Sequence, residues 1–247
     1  MKKLISLKSI LLIFFLISIF LSNIYINKFE NKFFTISNFD YPSLYHSDTI
    51  TYFQSAEKIS NDIANGKNIL ISGPEYSSSF LIPRTIYIFN KFFNNNRKII
   101  KIDENKIFLE KYRLFVILQF TFFYLSILYF YSVISKSLDK KLANIICLVI
   151  ALNPIIFQWH LSIMTESIFI SMLILLFAFL IRSESKKDFF LIGVFIGLLY
   201  LQRTIALLYP FVVFSYIIFY RESLNIKIQK IFLFIFSFSI ILFVIGL

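Results

Sequence analysis

Asp48 is the residue best placed to do chemistry. It stands in His46-Ser-Asp-Thr-Ile-Thr-Tyr52, ahead of an amphipathic stretch that runs through Ala56 to Gly66. A helix N-terminus favours an ionised carboxylate, the form that accepts a proton from an attacking hydroxyl or orients it. Ser47 or Asp48 also suits the N-cap of that helix, and the two roles do not exclude one another. Glu166, in Trp159-His-Leu-Ser-Ile-Met-Thr-Glu-Ser167, is a second acid at the head of an apolar run. An acid at a membrane is costly and by default suggests function; capping the first turn of that run is its structural alternative. Arg203 is a cation between two apolar runs, and its guanidinium fork suits a phosphate or, by snorkelling, lipid headgroups. Arg84 and the Lys111/Arg113 pair are further cations of the same region. His160 has no second His or Cys partner, so no metal site is expected, and the single Cys147 excludes a disulfide framework.

These residues must be positioned by apolar helices. Of 247 residues, 58% are hydrophobic and 16% charged, against about a quarter charged in a soluble domain. Apolar runs near the bilayer-spanning length of about 20 residues recur along the chain, which predicts a multi-pass membrane protein. The net charge of +11 does not mark a nucleic-acid surface. Twelve Lys/Arg and only four acids fall in four short polar stretches, 1–8, 135–141, 182–188 and 221–230. Short basic loops mark the cytoplasmic side, so the charge reads as topology and no nucleic-acid partner is expected. The N-terminal Met1-Lys-Lys3 has the form of a secretory signal, but Ser22-Asn-Ile-Tyr25 is a poor cleavage site, so an uncleaved first helix is expected.

With the N-terminus cytoplasmic, the expected spans are roughly 9–26, 112–134, 142–158, 164–181, 189–202, 204–220 and 230–247. The expected fold is therefore all-α, a polytopic membrane bundle of about seven spans in one domain, 1–247. Residues 27–111 form a large first extracytoplasmic loop with short amphipathic helices, and 112–247 form the bundle. Span 189–202 supplies only about 20 Å at 1.5 Å per residue. It is read as a short helix meeting 204–220 at the Gln202-Arg203-Thr204 break; one long span burying Arg203 is the alternative. In the loop, Tyr52, Ala56, Ile59 and Ile63 form a helical face for the membrane or the bundle, with Gly66 suited to stop that helix. A second helix is expected from Pro83-Arg84 to about Phe93, then a solvated turn over Asn94-Asn-Asn-Arg-Lys98. The chain ends at Leu247 inside an apolar run, and the expectation is a longer protein truncated there. On this path Asp48, Glu166 and Arg203 all face outward.

The chain resembles the GT-C-fold membrane glycosyltransferases, in the group related to dolichyl-phosphate-mannose protein mannosyltransferases and bacterial lipid-linked aminoarabinose and sugar transferases. Asp48-Thr-Ile-Thr-Tyr52 with Ala56 and Gly66 resembles the family's first-loop pattern. Pro83-Arg84-Thr-Ile-Tyr87 resembles the Arg-Pro-Pro-x-Tyr-Pro segment that comes next in the family. Asn153-Pro154 through Thr165-Glu166-Ser167 resembles a Pro-then-Ser/Thr-Glu pattern across two helices. Gly193-x-x-x-Gly197 through Leu201-Gln-Arg203-Thr204 resembles a Gly-rich helix ending in Leu-x-Arg-Pro. The likeness extends over nearly the whole chain, with two prolines of the pattern replaced, at Thr85 or Ile86 and at Thr204.

This resemblance implies an enzyme of the bacterial inner membrane whose site is extracytoplasmic. Its donor is a sugar on a polyprenyl phosphate, and its acceptor a hydroxyl of a glycan, lipid or protein. Asp48 is implied as the catalytic carboxylate, and Tyr52, Arg84, Glu166 and Arg203 as substrate-binding residues. No cofactor or metal is implied: phosphate is already a good leaving group, and the chain has neither an Asp-x-Asp motif nor a Gly-rich nucleotide loop. Three other readings stay open. One is a polysaccharide polymerase or ligase, which uses outer-loop arginines. Another is a transporter or flippase, which should carry charges in mid-span or inverted repeats. The last is a non-functional membrane fragment.

Overall fold

The computed structural model describes residues 7–29, 33–36, 39–42, 47–70, 72, 80–94, 100–103, 106–109, 112–220 and 222–245. The apolar part of the chain is helical throughout. The first helix, α1, is Leu7–Phe29, and the long helix α4 is Tyr112–Ser137. Helices α5 (Lys140–Ala151) and α6 (Pro154–Leu161) come next, then α7 (Thr165–Arg182) and α8 (Lys186–Gln202). A 3-10 turn (Thr204–Leu208) leads into α9 (Tyr209–Phe219), and α10 is Leu224–Ile245. Between α1 and α4 lie the polar helices α2 (Ser47–Ala64) and α3 (Leu81–Asn94).

Four helices, α1, α4, α7 and α10, are long and apolar enough to cross a membrane. The pair α5 and α6, bent by 46°, makes a fifth if taken as one span. The bend falls where Asn153-Pro154 interrupts the apolar run. The Asn153 side chain accepts from the Ile155 and Ile156 amides at 3.0 and 3.3 Å, and Pro154 takes the first helical position, where its missing N–H costs nothing. A capping box between Ser185 and Asp188 starts α8 at Lys186, a turn earlier than the expected 189. Helix α10 likewise starts six residues before the expected 230, drawing Lys227 and Lys230 into its first two turns.

Side-chain contacts give the helix directions. Helices α1 and α4 are antiparallel: Arg113 donates to Asn27 at 2.6 Å, and the Ser18 and Tyr124 hydroxyls are 2.9 Å apart further along. Helix α7 returns beside α4, with Tyr129 against Phe179 and Arg182 donating to the Tyr129 hydroxyl at 3.0 Å. Helices α8 and α10 run parallel, since Gly193 faces Phe234 and Ser237 while Gly197 faces Ile241. Between them α9 runs back, its Tyr209 against Phe169 near the start of α7 and its Tyr216 against Phe189 near the start of α8. The chain therefore reverses at Arg203, which supports the paired reading over one long span. All the described basic stretches, around Lys8, Lys136, Arg182 and Lys227, gather at one end of the bundle; the opposite end carries Tyr112, Glu166 and Arg203.

The segment before α4 packs on that opposite end. Phe53, Ala56 and Ile59 of α2 and Ile82 and Ile86 of α3 are fully buried, and Phe89 meets Phe115 of α4 edge-on at 5.1 Å. The amphipathic face of α2 is thus turned to the bundle. Helix α2 ends as Gly66 suggested: at φ 84, its amide donates to Ile63 and that of Lys67 to Asp62, both at 3.0 Å, the paired bonds of a Schellman stop. This segment also holds strands where only helices were expected. Strands β1 (Phe33–Ile36), β2 (Phe39–Pro42), β3 (Ile100–Asp103) and β4 (Lys106–Leu109) form one sheet in the order β1-β2-β4-β3, with β2 and β4 parallel. The alternation Ile100-Lys-Ile-Asp103 is at the short limit of what reads as a strand by period, and Phe33-Phe-Thr-Ile36 does not alternate. The solvated turn expected beyond Asn94, as well as Lys111 and Arg221, lies outside the described residues.

Candidate functional site

The connection between α6 and α7 is the hub of the site end. A helix C-terminus leaves its last carbonyls without intrahelical partners, and here side chains from other helices supply them. Gln119 of α4 donates through Nε2 to the carbonyls of His160 and Ser162, at 3.0 Å each. The Tyr112 hydroxyl donates to the Leu161 carbonyl. Thr49 of α2 donates to the Ile163 carbonyl at 2.9 Å, and Gln202 of α8 to the Thr165 carbonyl at 3.2 Å. Thr49, Tyr112, Gln119 and Gln202 are all buried. Five carbonyls between 160 and 165 are thereby tied to three separate helices, which fixes the position of the first turn of α7.

Glu166 occupies that turn. Its Oε1 is 2.5 Å from Arg203 Nη1, and its Oε2 accepts from the Thr165 hydroxyl at 3.0 Å. Arg203 sits at the turn where α8 gives way to the 3-10 segment, in extended backbone. The Glu166 side chain is 17% exposed and Arg203 40%, so solvent screens the pair and its contribution is about 1 kcal/mol or less. With 40% of its side chain exposed, Arg203 remains accessible to an anion.

Asp48 lies in the first turn of α2, beside the Thr49 that anchors this helix to Ile163. Its side chain is exposed, and its carboxylate has no hydrogen-bond partner among the described residues. Because α2 already begins at Ser47, Asp48 is a first-turn residue rather than the residue ahead of the helix. Tyr52, one turn on, is 2% exposed and belongs to the core that seats α2.

Arg84 is held apart from the other charges. Its guanidinium donates to the carbonyls of Ile69, Leu70, Ser72 and Phe80 at 2.7 to 3.1 Å and lies 3.5 Å over the Phe80 ring. Burial pushes its pKa down to about 10, which leaves it charged at neutral pH. Three of these carbonyls make Arg84 a clamp on Ile69, Leu70 and Ser72. The clamp still bears on the site, because the Phe80 amide donates to the Leu201 carbonyl at 2.9 Å, two residues before Arg203.

His160 is fully buried, with its Nδ1 2.7 Å from the Ile156 carbonyl and its ring against Phe120 and Phe123. Among the described residues no group of His, Cys, Asp and Glu could hold a metal ion. The structure thus brings Glu166 and Arg203 into contact and docks the Asp48 turn on the same connection, while Tyr52 and Arg84 act as supports. The residues that sequence reasoning missed are Thr49, Tyr112 and Gln119. For Gln119 the signal was present: an amide inside a long apolar helix needs a partner when buried. Comparison with protein-family models, curated proteins and solved structures finds no match.

Proposed function

We propose that the chain is a membrane glycosyltransferase that moves a sugar from a polyprenyl-phosphate donor to an acceptor hydroxyl with inversion. The observation that carries this reading is the gathering, at one end of an apolar bundle, of an exposed carboxylate and an accessible arginine. Asp48 and Arg203 are positioned by the same α6–α7 connection, the first through Thr49 and the second through Glu166 and Gln202. The bundle crosses the membrane with its basic end in the cytoplasm, as short Lys-rich loops require. The site end then faces outward, where the phosphate and sugar of a polyprenyl-linked donor are presented at the interface.

The acceptor oxygen attacks the anomeric carbon from the face opposite the phosphate. Asp48 takes the hydroxyl proton as the new C–O bond forms. The bond from the anomeric carbon to the phosphate oxygen breaks, and the polyprenyl phosphate leaves with the electron pair. Arg203 exchanges Glu166 for this phosphate and stabilises its growing charge, the kind of preorganised electrostatic contact that dominates such reactions. Glu166 holds the guanidinium in place between turnovers, and Arg84 ties Ile69, Leu70 and Ser72 to Phe80, whose amide meets the end of α8.

The test is sugar transfer by purified Asp48→Asn protein from a polyprenyl-phosphate donor. Loss of a positioned base lowers the rate by about 10²–10⁴-fold while membrane insertion stays intact. Wild-type transfer by that variant would overturn the mechanism.

A further inference from the structure

The basic end of the bundle holds a second feature, away from Asp48 and Arg203. A slot of about 390 Å³ opens between α4, α7 and α8, walled by Tyr129, Phe179, Leu191 and Phe195. It shares Arg182 and Asp188 with a recess of about 460 Å³ lined by Lys136, Arg182, Glu184, Ser185 and Asp188. The slot is apolar and the recess is polar. Helices α4 and α7 both end at the recess, at Ser137 and Arg182, so it lies at headgroup depth if they cross a membrane. Phe195 is seven residues along α8 from Asp188, about 10 Å deeper at 1.5 Å per residue. Apolar depth below a charged mouth is the outline of a lipid.

We propose that this site binds one phospholipid with a primary-amine zwitterionic headgroup, phosphatidylethanolamine, with an acyl chain in the slot. The recess carries two cations, Lys136 and Arg182, and two acids, Glu184 and Asp188. That balance matches a zwitterion, whereas an anionic headgroup would meet both carboxylates. Arg182 is held by its bond to the Tyr129 hydroxyl, which leaves its remaining N–H groups for a phosphate. Asp188 uses Oδ2 for the start of α8, accepting from the Glu184 and Ser185 amides and the Ser185 hydroxyl at 2.7 to 3.0 Å. Its Oδ1 makes none of these bonds, and Asp188 and Glu184 both line the recess as carboxylate acceptors for an ammonium. A primary ammonium donates hydrogen bonds to them, and a trimethylammonium has no N–H to donate.

The experiment adds phosphatidylethanolamine, phosphatidylcholine or phosphatidylglycerol to the delipidated full chain in detergent and counts bound lipid by native mass spectrometry. Phosphatidylethanolamine should bind about tenfold more tightly than either competitor, the worth of one charge-assisted hydrogen bond near a surface. Glu184→Gln, a change at an exposed side chain, should abolish the preference over phosphatidylcholine while lipid still binds. Arg182→Gln should weaken all three. Equal binding of the three lipids by the wild type would overturn the proposal, as would an unchanged preference in Glu184→Gln. Equal competition by deacylated glycerophosphoethanolamine would also overturn it, because the slot would then contribute nothing.

Discussion

Gln119 shows what a single polar side chain does inside an apolar helix. It satisfies two carbonyls that the end of α6 leaves open, and no other described side chain donates to either. Replacing it by Leu keeps the volume and orphans the His160 carbonyl, while the Ser162 carbonyl keeps the Met164 amide at 3.1 Å. Buried orphans cost about 1–3 kcal/mol, although hydrogen bonds within membranes average nearer 0.6. Gln119→Leu should therefore lower the apparent melting temperature in detergent by a few degrees, at about 2–4 °C per kcal/mol for a chain this long. An unchanged melting temperature would mean that the connection is held without it. Arg203 has the opposite profile, half out of the protein and weakly held. Arg203→Met should leave stability within about 1 kcal/mol yet lower transfer by about 10²–10³-fold. A large stability loss with intact turnover would assign it a structural role instead.

Among the described elements, α8 and α10 approach closely, and glycines permit it. A Cβ at Gly193 would overlap the Phe234 backbone carbonyl and the Ser237 hydroxyl, while one at Gly197 would lie 2.7 Å from the Ile241 Cβ. Alanine in place of glycine normally stabilises a helix by up to about 1 kcal/mol, but overpacking costs about 1–3. The overlap at Gly193 is the deeper, 2.0 Å from the Ser237 hydroxyl and 2.4 Å from a backbone carbonyl, whereas the Ile241 Cβ is equally fixed but lies further off. Gly193→Ala should thus destabilise more than Gly197→Ala, read as the difference between their apparent melting temperatures; the reverse order would contradict the helix contact described. Asn153-Pro154 stood inside the expected span 142–158, which the structure instead bends by 46°. The Gly-x-x-x-Gly spacing was visible in the sequence because it is local. The partner of the glycine stripe was not, since spacing marks a close approach without saying which helix makes it.

Across the whole molecule, charge is sorted to the two ends, and Lys230 shows how a cation is accommodated inside the bundle at the basic end. Its Nζ is 2.8 and 2.7 Å from the two Glu222 carboxylate oxygens and 4.8 Å from the Phe189 ring, with 3% of its side chain exposed. Removing one member of a buried pair costs about 3–5 kcal/mol, and the 19% exposure of Glu222 puts this pair toward the lower figure. Lys230→Met should lower the apparent melting temperature, and adding Glu222→Gln should recover most of the loss. Additive losses in the double variant would show that the two residues are not coupled.

The sequence by itself determined the helical, membrane-compatible class, the order of the apolar segments and the stop at Gly66. These features arise from composition, periodicity and backbone chemistry, which act over a few residues. Only the tertiary structure decided that the first loop builds a four-stranded sheet, that α2 turns its apolar face to the bundle, and that Arg84 clamps carbonyls while Arg203 meets Glu166. Each of those outcomes depends on which groups meet across the chain, 15 residues or fewer apart at Arg84 and 37 apart at Glu166 and Arg203. A guanidinium reads the same in a sequence whether its fork faces four carbonyls or a single carboxylate, and only packing settles which acceptors come within reach.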